Sequence, residues 1–112
     1  MSSLLRLTGE IIVAGDIGLT EGTAQCLLRS KSELDVEFDF EAGPCHWAGR
    51  LTFDGEFFFA AELATLTPET VSPISVQARL FRNAFNEREW LLHGLWREDG
   101  IDHFFDAELT AE

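Results

Sequence analysis

The nine residues Glu33–Glu41, ELDVEFDFE, set Leu34, Val36, Phe38 and Phe40 between Glu33, Asp35, Glu37, Asp39 and Glu41 in strict alternation. A period of two is the repeat of a pleated strand, whose successive side chains point to opposite faces. A strand with one apolar and one charged face lies half buried, so this segment predicts a strand with its aliphatic and aromatic side in a core. Similar runs occur at Leu5–Val13, Thr23–Arg29, Trp47–Phe53, Phe57–Leu63, Ile74–Phe81, Trp90–Trp96 and Ile101–Leu109. Together they predict about eight strands in a single all-β domain spanning residues 1–112, an antiparallel meander that forms a small barrel or a sandwich.

The connections fit that reading. Ser30–Ser32, Ala42–Pro44 and Arg82–Glu87 read as turns, and Thr65–Pro73, with two prolines, is the longest link and the best place for a short helical turn. Two segments share the spacing G-x4-D-G-x3-F: Gly49, Asp54-Gly55 and Phe59, then Gly94, Asp99-Gly100 and Phe104. If each Asp-Gly closes a three-residue hairpin, Thr52 faces Glu56, Gly49 faces Phe59 and Gly94 faces Phe104. A ring lying across a cross-strand glycine covers bare backbone, so hairpin construction alone explains the spacing. Ala14-Gly15 with Glu21-Gly22 is a weaker third copy. In the last hairpin this register leaves both faces apolar, Leu92, Gly94, Trp96 and Phe104 on one side and Leu91, Leu95, Ile101, Phe105, Ala107 and Leu109 on the other. A second layer, a ligand or another chain must then cover one of them, and a homodimer is expected on that ground.

Composition bounds the function. With 112 residues, a domain of this size buries about two-thirds of its unfolded surface. Ten Phe and three Trp with no Tyr supply large rings with few polar handles, as expected of rings meant for burial. Twenty acidic against eight basic residues give a formal net charge of −12, which disfavours nucleic acid and anionic lipid as partners and favours a protein with a basic surface. Seven of the eight basic residues are Arg, the side chain best suited to bidentate carboxylate pairs on a sheet surface. Glu10 interrupts the first apolar run before it reaches the length of a signal-peptide core, and no run approaches the ~20 residues of a membrane helix. A cytoplasmic location with Cys26 and Cys45 as reduced thiols is the expectation.

No stretch carries a catalytic signature. Cys26 and Cys45 offer a thiol and His a base, but without a local motif, and Cys26 falls on the inward side of its strand with Ala24 and Leu28. His93 and His103 share a face under the proposed register, yet a metal needs three or four converging ligands. The sequence therefore predicts neither catalysis nor a cofactor or metal. Two binding surfaces stand out. Glu33, Asp35, Glu37, Asp39 and Glu41 form an acidic ridge with carboxylates about 6.6 Å apart, close to the phosphate repeat of a nucleic-acid backbone, so the ridge is a candidate to occupy a basic protein groove, against its favoured reading as a solvated strand face that blocks edge pairing. Trp47, Trp90, Trp96, Phe59, Phe104 and His93 are candidates to line a barrel interior that admits a small hydrophobic or aromatic ligand, against their reading as ordinary core. The leading expectation is a non-catalytic inhibitor, adaptor or assembly subunit that binds a protein partner, and the alternative is a small-molecule carrier.

Overall fold

A computed structural model describes residues 4–15, 18–40, 45–65 and 74–112. Eight strands follow in order, β1 (Leu5–Gly15), β2 (Gly18–Ser30), β3 (Glu33–Phe40), β4 (Cys45–Phe53), β5 (Phe58–Thr65), β6 (Ile74–Arg82), β7 (Glu89–Glu98) and β8 (Ile101–Ala111). Each pairs antiparallel with the next, and β1 pairs with β8 from Leu7 opposite Ala111 to Val13 opposite Phe105, so the sheet is a closed barrel rather than a sandwich. Closure removes both sheet edges, which a chain this rich in apolar strands would otherwise expose to pairing with other molecules.

The alternation read in residues 33–40 holds in three dimensions. Leu34, Val36, Phe38 and Phe40 are buried, and every interior-facing run of the other strands joins them in one core centred on Phe38 and Phe105. Eight strands enclose a space just wide enough for side chains to fill or for one small ligand, so the sizes of the inward residues decide how full the barrel is. Glycine marks the tightest points. A Cβ on Gly94 would lie 2.0 Å from the Gln77 carbonyl oxygen and one on Gly9 1.8 Å from that of Glu108, so at these two places neighbouring backbone occupies side-chain space. At Gly22 the obstruction includes the ring of Phe40, directly opposite it on β3, with a ring carbon 2.6 Å from the missing Cβ. An aromatic ring thus covers a cross-strand glycine, though at a pair the sequence spacing did not single out.

The two glycine-aromatic pairs expected from the repeat are displaced. Asp99 and Gly100 both have positive φ, 53° and 78°, the type I′ geometry that closes a two-residue hairpin. Glu98 therefore pairs with Ile101, and Gly94 meets Phe105 instead of Phe104. In the β4–β5 hairpin the connection is longer. Asp54 accepts the backbone N–H groups of Glu56 and Phe57 at 2.9 and 2.8 Å, Phe53 pairs with Phe58, and Thr52 faces Phe59. An irregularity between Ala48 and Thr52 then shifts the register, so that a side chain at Gly49 would meet Leu63 and not Phe59. A one-residue slip exchanges faces. Phe104 consequently lies outside the barrel while Phe105, Ala107 and Leu109 lie inside, and the last hairpin has one covered face, not two open ones.

The turn at Ser30–Ser32 is present, and the loop after β6 is held by Asn83, which accepts the Phe85 N–H at 2.9 Å and donates to Glu89 at 2.9 Å. The turn expected at Ala42–Pro44, the Thr65–Pro73 connection beyond Thr65, and Glu41 lie outside the described residues.

Because the Gly94 obstruction is backbone, no rotamer change relieves it. Gly94→Ala is expected to lower stability by about 3 kcal/mol, against a change within about 0.5 kcal/mol for Phe104→Ser on the exposed face, both read from urea unfolding midpoints.

Candidate functional site

The two ends of the barrel are filled differently. At the end holding the β2–β3, β4–β5 and β6–β7 turns, Leu34, Leu51, Leu92 and Leu109 are buried, and Leu5, Leu28, Leu80 and Trp90 pack against them as a cap. At the opposite mouth the inward positions become small or polar: Gly15 pairs with Gly18, Val13 with Thr20, and Trp96 with His103. Among the described residues, small or polar side chains take the last inward positions on β1, β2, β7 and β8. What remains is a recess of about 300 Å³ lined by Val13, Gly15, Thr20, Phe40, Trp47, Trp96, Glu98 and His103.

Its floor is aromatic. Trp47 and Trp96 stand at 89° with ring centroids 5.1 Å apart, and Phe40 meets Trp96 at 90° and 5.6 Å. Such edge-to-face contacts are favoured by the ring quadrupoles and hold the floor rigid. The walls carry a few polar groups. The Trp96 indole N–H donates to Glu98 Oε1 at 3.4 Å, and His103 Nδ1, at 3.2 Å from the Ala14 carbonyl oxygen, must be the protonated ring nitrogen there because a carbonyl only accepts. The Trp47 indole N–H is buried with no hydrogen-bond partner among the described residues.

The candidate residues read from sequence are therefore dispersed. Trp47 and Trp96 meet in the recess. Trp90 sits at the capped end, with the Arg82 guanidinium 5.8 Å from its ring centre. Phe59 and Phe104 point outward at 43% and 66% exposure, and His93 is on the outer face against Asp106. His93 and His103 thus lie on opposite faces, because the two-residue turn moves His103 inside, and it is Asp106 that shares the His93 face. Among the described residues no group of three or more His, Cys, Asp or Glu side chains is placed to hold a metal ion. Cys26 is an unbridged buried thiol that burial pushes up to about 12, the behaviour of a small core residue and not of a nucleophile. Glu98 and Thr20 escaped notice because polar residues at strand ends look like ordinary surface, and His103 was placed on one face with His93; inward parity was the available signal.

The acidic ridge exists on the outer face of β3, but neighbouring strands bring cations to it. Arg50 on β4 reaches both Glu33 (2.8 Å) and Asp35 (2.7 Å), Arg29 on β2 also pairs with Asp35, and His46 Nε2 lies 2.7 Å from Glu37. The Arg50 hydrogen bond, with Arg29 assisting, holds the Asp35 carboxyl below its ordinary 3.8. Of the four described ridge carboxylates, two hold guanidinium groups and a third faces an imidazole. Three other arginines are paired with carboxylates, Arg97 with Asp102 at 2.8 Å, Arg79 with Glu56 at 3.3 Å and Arg82 with Glu87 at 3.5 Å.

No known protein-family model matches the chain, and no curated protein matches it. Among the described residues no helix is long and apolar enough to cross a membrane.

A carboxyl whose folded pKa is depressed stabilises the fold above its unfolded value, and that contribution disappears as pH falls through the folded pKa. Asp35→Asn should therefore lower stability at pH 7 by about 0.5–1 kcal/mol, with the gap to the unmodified chain closing below pH ~4. Urea midpoints at pH 7, 4 and 2.5 check this; a gap independent of pH contradicts it.

Proposed function

We propose that the protein is a non-catalytic small-molecule-binding barrel whose site is the recess at the Trp47–Trp96 mouth. One observation carries the reading: among the described residues the core fills the barrel at one end and gives way at the other to a recess lined by aromatic rings and a few polar groups. That combination is what small-ligand sites share, and eight-stranded barrels hold ligands at their mouths. Volume limits the guest. A water's share of liquid is about 30 Å³, so 300 Å³ is room for roughly ten waters, at the small end of ligand sites. The rest of the interior is packed, so the reading concerns the mouth and not a central cavity.

A ridge docked on a basic protein is less well supported, since Arg29 and Arg50 already neutralise Glu33 and Asp35. A contact with a second copy of this chain is the second reading. Phe59, Gln77, Leu95 and Phe104 follow one another across paired strands in a single outer row, with Phe104 66% exposed. The flanking Arg79, Arg97 and His93 are each paired with a carboxylate, so this side of the barrel is close to neutral and two copies could meet there without strong repulsion.

Thr20 is exposed at the rim, so Thr20→Trp should plug the recess without disturbing the core. Saturable quenching of tryptophan fluorescence by a small aromatic ligand is expected in the unmodified chain and should weaken at least about tenfold in the variant, with an unchanged melting temperature. Equal binding by both chains would move the site elsewhere. For the second reading, sedimentation equilibrium should show a dimer that Leu95→Ser with Phe104→Ser converts to the 12.6 kDa monomer; a monomer at 100 µM protein (about 0.1 mM) before substitution ends it.

A further inference from the structure

We infer that the mouth recess selects organic cations, in particular a small ammonium bearing an aromatic or compact alkyl body; this rests on the ligand-binding reading above and adds the charge of the guest. Three kinds of observation converge. First, Phe40, Trp47 and Trp96 stand nearly perpendicular in every pairing, at 73°, 89° and 90°, with centroids 5.1–5.8 Å apart. All three line the recess and are held in place by these contacts, and the face of an aromatic ring carries the negative end of its quadrupole. Trp is the strongest of the cation-binding rings, and two of the three are Trp.

Second, the one formally charged group of the described lining is the Glu98 carboxylate, beside an indole N–H of Trp47 that has no partner among the described residues. Glu98 brings a carboxylate whose one oxygen takes the Trp96 N–H at 3.4 Å and whose other is free of that bond. His103 directs its Nδ1 proton at the Ala14 carbonyl oxygen, and Thr20 adds a hydroxyl. No Lys or Arg is among the lining residues. An anionic guest would meet a carboxylate with no countercharge, and a neutral apolar guest would strip water from Glu98 and return nothing for it. A cation satisfies Glu98 and the rings together.

Third, the field of the whole chain points the same way. At a formal net charge of −12 the surface attracts cations over distances of about a Debye length, which raises their concentration at the mouth.

The test uses the whole chain and three probes of nearly one shape: phenyltrimethylammonium, its uncharged carbon isostere tert-butylbenzene, and benzenesulfonate, each titrated while tryptophan fluorescence is followed. The expected result is saturable binding of the cation about tenfold or more tighter than the isostere, with the sulfonate weakest. Glu98→Gln, a half-buried rim position, should erase most of that preference while leaving the isostere's affinity unchanged or improved. If the isostere or the sulfonate binds as tightly as the cation, the charge preference is overturned while the recess remains a ligand site. If none of the three binds, the ligand-binding reading falls with it. The cation-to-isostere ratio in the unmodified chain decides the question even should the Gln variant fail to fold.

Discussion

Pairing between β1 and β8 is the constraint on which the rest of the molecule depends. It joins the first and last strands of the chain, Leu7 opposite Ala111 through Val13 opposite Phe105, and turns a meander into a tube. Without it Gly9 would have no reason to be bare, because the space a Cβ would take is filled by the Glu108 carbonyl across this seam. The seam also makes an inside. Once the strands close, inward residues of all eight compete for one volume, and the outcome is set by their sizes and not by any local preference.

That competition explains why the ends differ. Toward the turns that include Ser30–Ser32, leucines from β3, β4, β7 and β8 fill the tube and a further ring of apolar residues caps it. Toward the other mouth β1, β2, β7 and β8 contribute Gly15, Thr20, Glu98 and His103, which are small or polar. Trp47 of β4 and Trp96 of β7 come at the boundary between the two regimes, packed against Phe38 and Phe40. The recess is thus a product of where the apolar sequence ends along each strand.

Strand identity and inward parity were legible wherever alternation was strict. Leu34, Val36, Phe38 and Phe40 needed only a period of two, and the charged face of the same strand followed at once. Register between strands was less legible. Asp99-Gly100 fits a two-residue or a three-residue turn equally well as a pair of letters, and only the positive φ at Asp99 as well as Gly100 selects the shorter one. The difference of one residue decided whether Phe104 or Phe105 is core and whether His103 reaches the mouth. Of the site, Trp47 and Trp96 could be chosen by type, but Trp90, identical in type, belongs to the capped end because of its position along β7. The ridge shows the same limit: its acids were visible in nine consecutive residues, whereas Arg29 and Arg50, which pair with Glu33 and Asp35, come from two other strands and reach it only through pairing.

The most direct check is a two-dimensional nuclear Overhauser experiment on the uniformly labelled chain, asking for backbone contacts across the seam. A closed barrel predicts cross-peaks linking Gly9 with Leu109 and Ile11 with Ala107. Solvent-exposed, freely exchanging amides on β1 and β8 with no such cross-peaks would mean an open sheet, and an open sheet has neither an interior nor a mouth.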